Sequence, residues 1–261
     1  MALSQPLYAI FRRLFQQGLL PQNGALLEFG EANWYGDMSP DALIADIEAF
    51  VSDSDRRARI IASIRQAAAE TSEHRLFTIA KAAYSALFDP SVVHAIDMHG
   101  SPSAFKYDLN DPVTLDTRYE CTLNNGTAEH VFNVGQFFKT MHERTKPSGL
   151  MLHEGPFTGW INHGFYTFQP TLYLDLAAAN NYDLLAMFLI DWHAHKIEPI
   201  PNRQAIVAMI QRAGEAHRSA GLVVALRKPA DDRPFAMPFQ GYYAGTLPPD
   251  EKRIWEAGSG A

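Results

Sequence analysis

Apolar and polar positions alternate along this chain in two periods, and the changes between them outline its elements. Leu7, Ile10, Phe11, Leu14 and Phe15 recur every three to four residues, which predicts an amphipathic N-terminal helix. Residues 24–30, GALLEFG, form a short apolar run between glycines, the pattern of a buried parallel strand. Helical periodicity then dominates. Ser39-Pro40-Asp41 predicts a cap and first-turn proline opening a helix to about Val51. Further helices are predicted over 56–70 and 73–88, the last stopped at Asp89-Pro90.

Beyond residue 90 the pattern alternates between strands and helices. SVVHAIDMHG predicts a strand ending in Asp97, AFKYDLN an extended piece ending in Asp108, and 119–123 another strand. A polar turn at Asn124, Asn125, Gly126 and Thr127 leads to Glu129 and His130, and then to a helix over 132–144. Pro147-Ser148-Gly149 predicts a turn before the strand GLMLHEGPF. A helix over 169–182, a strand in LLAMFLIDWHA, a helix over 203–220 and a strand in GLVVALRKP follow. This alternation predicts an α/β fold with a mostly parallel, doubly wound sheet covered by helices on both faces. In such sheets ligands bind beyond the carboxyl ends of the strands.

Composition narrows the function classes. The 261 residues are 47% hydrophobic, enough for a sizeable core, and the formal net charge is -7. The chain has no clustered Lys and Arg, so no nucleic-acid partner is expected. The single cysteine, Cys121, excludes an intramolecular disulfide and a thiolate metal cluster, and its mid-strand place predicts buried packing. No apolar run reaches the roughly 18 residues of a membrane span, and the N-terminus lacks the layout of a signal peptide. A cytoplasmic protein without membrane contact is the expectation. The proline-rich segment after Lys228 carries Phe235, Phe239, Tyr242 and Tyr243, which predicts an ordered arm.

Candidate chemistry gathers at strand ends. Glu28, Asp97 and Asp108 lie at or beyond three of them, where carboxylates can accept hydrogen bonds from ribose hydroxyls and an exocyclic amine. The residues GTAEHVFN (126–133), HEGP (153–156) and HGFY (163–166) follow in order. In these motifs the chain resembles the class I S-adenosylmethionine-dependent methyltransferases, in particular a bacterial subgroup with GT-x-EH-x-FN, HE-x-P and HGFY. The resemblance covers about residues 24–182. The chain departs from the family at its first loop, usually E-x-G-x-G-x-G. Here LEFGEANWYG keeps only Glu28, Gly30 and then Gly36. A nicotinamide site is less well supported, because G-x-G-x-x-G is absent.

The resemblance implies a seven-stranded Rossmann-like methyltransferase sheet over 24–228, with a helical insertion at about 37–88. An N-terminal helix (1–23) would serve as a lid or oligomer contact, and 229–261 would be an arm. It implies S-adenosylmethionine as cofactor. Glu28 and Gly30 would lie near its methionine part, Asp97 at the ribose with Met98 on adenine, and Asp108 and Leu109 at the adenine edge. Asn124, Gly126 and Thr127 would line the sulfonium side. For a small-molecule acceptor, Trp34, Tyr35 and Tyr166 are candidate pocket residues. His153, Glu154, His163, Glu129 and His130 are candidate catalytic groups, with helix capping an equal alternative for His130. No resident metal is expected, and a homodimer is an open option. Cyclisation or aminocarboxypropyl transfer on the same cofactor, a His/carboxylate metalloenzyme and an inactive binding protein are the competing readings.

Overall fold

Strand pleating decides which residues meet on each side of the sheet. The computed structural model describes residues 1–72, 74–193, 196–206 and 219–258. In chain order the first elements are β1 (Ala2–Leu3), α1 (Gln5–Gln16), β2 (Ala25–Phe29), β3 (Asn33–Trp34), α2 (Pro40–Phe50), α3 (Ser54–Ala69) and α4 (His74–Phe88). Next come β4 (Val92–Ile96), β5 (Tyr119–Asn125), α5 (Val134–Arg144), β6 (Thr145–Thr158), α6 (Pro170–Asn180), β7 (Asp183–Asp191), β8 (Lys196–Pro199) and β9 (Ala220–Arg227). Two short C-terminal helices close the chain, α7 (Gly241–Ala244) and α8 (Pro249–Gly258).

The main sheet has seven strands in the order β4-β2-β5-β6-β9-β7-β8. The first four are mutually parallel, β9 runs antiparallel to both β6 and β7, and β8 runs antiparallel to β7. Strand order reverses between β2 and β5. The fold is therefore a doubly wound, mostly parallel, seven-stranded Rossmann-like sheet, as expected. A two-residue parallel pair, β1 with β3, lies outside it.

Side chains alternate between two buried layers, the consequence of period-two pleating. Leu26, Cys121, Leu123, Leu150, Leu152, Val223 and Ala225 face one layer. Leu27, Phe29, Met151, Leu189, Leu222, Val224 and Leu226 face the other. The first layer is completed by α1 to α4, through Leu7, Phe11, Leu43, Ile47, Ile60, Ile64, Ala83 and Leu87. The helical insertion thus forms part of the core on one face of the sheet. The second layer is filled from α5 and α6 by Phe137, Met141, Tyr173 and Leu176. Cys121 is buried and unpaired, and desolvation raises its thiol pKa.

Local chemistry sets the helix ends. Ser4, Ser39 and Asp53 cap α1, α2 and α3 by accepting backbone N–H bonds. Asn133 caps α5 by accepting from the Gln136 N–H, so the capping role open to His130 falls to Asn133.

Two predicted elements differ in the structure, and one lies largely beyond the described residues. The extended piece ending in Asp108 forms only a single parallel bridge, Phe105 with Ile96. The turn predicted at Pro147-Ser148-Gly149 is instead part of β6. Ser148 bends there at φ 61° and the β5–β6 register slips between Tyr119 and Cys121, so the segment bulges within the strand, its Ser148 N–H donating to the Pro229 carbonyl and its Gly149 carbonyl accepting from the Lys228 N–H. The predicted helix over 203–220 lies largely outside the described residues. In the C-terminal arm, Asn180 exchanges two hydrogen bonds with the Ala236 backbone and Phe235 packs on the second layer, whereas Phe239 and Tyr243 are exposed. No described helix is long and apolar enough to cross a membrane.

Phe11 is fully buried against Phe88. Phe11→Ala is expected to destabilise the fold by about 3–5 kcal/mol. Equilibrium urea unfolding followed by far-UV circular dichroism measures it.

Candidate functional site

The site forms where the strand order reverses, at the carboxyl ends of β2 and β5. Gly126 turns the chain out of β5 at φ 76°. Asn124 Oδ1 then accepts from the N–H groups of both Thr127 and Ala128, at 3.1 Å each. The Thr127 hydroxyl crosses to β2 and donates to the Phe29 carbonyl at 2.5 Å. Gly30 follows Phe29 at φ 83°, and a Cβ there would collide with the Thr127 hydroxyl and the Met1 side chain. A glycine is therefore required by both conformation and space.

Above this floor lies a cavity of about 300 Å³. Its functional lining is Gly126, Glu129, Glu154, His130 and His163, with Tyr35, Trp160 and Trp192 as aromatic wall and Met1 at its edge. Glu129 and His130 sit on a single 3-10 turn, Ala128–His130, that follows β5. His163 comes from the loop between β6 and α6. That loop is pinned to the turn, because the Glu129 carbonyl accepts from the N–H groups of Phe165 and Tyr166 at 2.8 and 3.3 Å.

Buried charge dominates the electrostatics. Desolvation raises the Glu129 carboxyl to about 7. Desolvation and the neighbouring Glu129 charge raise Glu154 to about 8. Burial and the adjacent His163 lower the His130 imidazole. Glu129 Oε1 lies 3.9 Å from His130 Nε2 and 3.7 Å from His163 Nε2, and Glu129 Oε2 has no hydrogen-bond partner.

Of the five catalytic candidates, four meet at this cavity and His153 does not. Pleating places His153 and Glu154 on opposite faces of β6. His153 packs between Phe138 and Tyr173 in the second layer, where burial lowers its pKa to about 3. Trp34, expected in the pocket, is buried in the first layer against Tyr8, with its indole N–H donating to the Met38 carbonyl. Tyr166 donates to the Phe132 carbonyl and stacks on Phe168, outside the residues lining the cavity. Tyr35 does line it.

The cofactor candidates divide similarly. Glu28 is buried beside Tyr84 and accepts from the Ala32 N–H at 3.1 Å. Asn124 Oδ1 and the Thr127 hydroxyl are engaged in the stitch described above, and Asn124 Nδ2 donates to the Glu154 carbonyl at 3.4 Å. Asp97 accepts from the N–H groups of Glu31 and His99, and Asp108 from Asn110. Met98 is exposed and Leu109 is buried.

A clasp between Gly30 and Asp97 was missed by sequence reasoning. The Glu31 carboxylate pairs with Lys81 of α4 and accepts from the backbone and hydroxyl of Ser101. Glu31 directly follows the first-strand glycine, which was the available signal. The partner Lys81 is fifty residues away and carried none. Trp160, between the HEGP and HGFY motifs, was also missed. Its ring lies 4.9 Å from that of His163.

No protein-family model and no curated protein matches the chain. Among solved structures, the [4+2]-cyclase SpnF is 13% identical, with 86% of this chain and 82% of that chain covered and a TM-score of 0.42. A Listeria monocytogenes protein designated an S-adenosylmethionine-dependent methyltransferase is 11% identical over 85% of this chain and 97% of its own, with a TM-score of 0.43. The Burkholderia thailandensis 1,6-didemethyltoxoflavin-N1-methyltransferase, with 1,6-didemethyltoxoflavin and S-adenosylhomocysteine bound, is 12% identical over 86% of this chain and 77% of its own, with a TM-score of 0.36. At such identities and scores the likeness does not bear on activity, and the fold assignment rests on strand order and direction.

Glu28 provides a pH test of the buried floor. Desolvation raises its carboxyl from 4.5 to about 8. The native state therefore keeps a proton that the unfolded chain loses above about pH 4.5. Its stabilising contribution is full below that pH, declines as pH rises, and is gone above about pH 8. Glu28→Gln is expected to remove a slope on the order of 1 kcal/mol per pH unit across this window. Urea unfolding of both proteins from pH 5 to 8.5, the limits set by about the two pKa values, measures the difference.

Proposed function

We propose that this chain is an S-adenosylmethionine-dependent methyltransferase acting on a small-molecule acceptor. The observation that carries the reading is the cavity at the point where strand order reverses, walled by the buried carboxylates Glu129 and Glu154. Open α/β sheets bind ligands at this point. The residues present suit the cofactor at its sulfur end. Gly30 and Gly126 allow close backbone approach, and the orphaned Glu129 oxygen offers an acceptor to a cation. At the ribose end, Asp97 retains acceptor capacity, since a carboxylate has about four lone-pair sites and Asp97 uses two. The Glu31–Ser101 clasp closes the space between Gly30 and Asp97, so ribose binding there requires the clasp to release.

When bound, S-adenosylmethionine supplies an electrophilic methyl group on a cationic sulfur. The protein's own residues do the rest. Glu129 and Glu154 are drawn toward their ionised forms by the cationic sulfur, and their negative charge stabilises it in turn. Trp160 and Trp192 wall the acceptor, with the exposed Tyr35 at the rim, and positioning provides much of the acceleration in methyl transfer. For a hydroxyl or amine acceptor, Glu154 takes the proton, since desolvation raises its basicity toward neutral pH.

Calorimetric titration with S-adenosylmethionine and S-adenosylhomocysteine tests the cofactor. Binding is expected, with affinity reduced more than about tenfold in Asp97→Ala, a loss of about 1.4 kcal/mol or more. Absence of binding at high micromolar concentrations overturns the reading. Turnover products separate the chemistries: S-adenosylhomocysteine marks methyl transfer, whereas methylthioadenosine marks attack on the aminobutyryl chain.

A further inference from the structure

Glu129, His130 and His163 bring three metal-ligating atoms within 4.8 Å of one another at the wall of the cavity. They come from two segments held in register. The Glu129 carbonyl binds the N–H groups of Phe165 and Tyr166, the His163 N–H donates to the Trp160 carbonyl, and a Cβ at Gly164 would press on the Glu129 carbonyl at 2.8 Å. This backbone contact delivers His163 to the Glu129 side chain.

Three features point to a cation rather than to a chance gathering of polar groups. The Glu129 side chain is 2% exposed, and its Oε2 has no partner. Such an atom loses its hydration without a replacement. The Oε1-to-nitrogen distances, 3.7 and 3.9 Å, exceed a hydrogen bond. They are close to the separation of about 3.3 Å between ligands set around one ion at roughly 2.0–2.1 Å in tetrahedral geometry. The third pair, His130 and His163, lies within 4.8 Å, so side-chain rotation draws the three atoms together around an ion. Finally, Glu154 places a second carboxylate nearby. A Cβ at Gly126 would lie 3.3 Å from an oxygen of each glutamate. The Met1 α-ammonium acts on the same two carboxylates, so a divalent ion would compete with it.

We propose that Glu129, His130 and His163 form a binding site for one divalent first-row transition-metal ion, with its open coordination positions facing the cavity. Two imidazole nitrogens and one carboxylate oxygen suit Zn²⁺ and its neighbours rather than Mg²⁺ or Ca²⁺, which favour oxygen ligands. The open positions accept an oxygen of the molecule that enters the cavity. Bound there, a hydroxyl becomes more acidic, and Glu154 remains available for its proton. The site does not depend on the methyltransferase reading, because the ion binds whether or not S-adenosylmethionine does.

The test uses the full chain stripped with a chelator and titrated calorimetrically with Zn²⁺ alone. Titration with Co²⁺, followed by visible absorption, reports the coordination environment. One saturable equivalent is expected. Glu129→Gln and His163→Ala are each expected to weaken binding more than about tenfold. His99→Ala removes an exposed imidazole outside the cluster and is expected to bind like the parent. Because His163 is 40% exposed, its replacement tests the site without opening the core. No saturable Zn²⁺ binding at high micromolar concentrations overturns the proposal, as does parent-like binding by both Glu129→Gln and His163→Ala.

Discussion

The hydrogen bond from the Thr127 hydroxyl to the Phe29 carbonyl is the constraint on which the site depends. It joins β2 to the turn leaving β5, where strand order reverses and the sheet has no further ladder bonds to hold its ends together. Asn124 reinforces it by tying down two N–H groups of the following turn. Gly30 must then be glycine to let the hydroxyl pass. The same turn carries Glu129 and His130 upward into the cavity, and the Glu129 carbonyl captures the loop that brings His163. One short stretch of backbone thus sets the floor of the cavity and the position of its polar groups.

The helical insertion serves this arrangement from below. α4 packs its apolar face on the sheet and presents Lys81 and Tyr84 toward the strand ends, where they meet Glu31, Glu28 and Asn125. The Glu31 carboxylate beyond β2 is thereby paired by a helix that enters the sequence some fifty residues later, whereas the buried Glu28 beside Tyr84 keeps its proton. The arrangement couples the packing of the insertion to the shape of the cavity. It also explains how a first loop with few glycines is ordered: its charges are held by side chains from α4 and by Ser101.

Much of the fold was legible locally. The caps at Ser39 and the stop at Asp89-Pro90 are signals of a few residues, and the helices begin and end beside them. The strands at 25–29, 92–96 and 119–125 announce themselves through apolar runs that only a sheet covered on both faces can bury. The site was legible only in part. Glu129, Glu154, His130 and His163 were found because they cluster in motifs after strand ends. His153 was misplaced beside Glu154 because neighbours in a motif look equivalent until the pleat sends them to opposite faces. Trp34 was misplaced because an aromatic near a glycine loop suits a pocket wall and a core equally well.

The amino-acid sequence alone determined the succession of the longer helices and strands and the placing of carboxylates at strand ends. These follow from periodicity and capping, which act over a few residues. Tertiary structure alone decided that the segment at 147–149 is carried as a bulge within β6, since its hydrogen-bond partners lie at Lys228 and Pro229. It also decided that Glu31 pairs with Lys81 and that His163 meets Glu129. Each of these contacts joins residues distant along the chain, and hydrogen bonding and ion pairing act across space without leaving a periodic trace in either partner's local sequence.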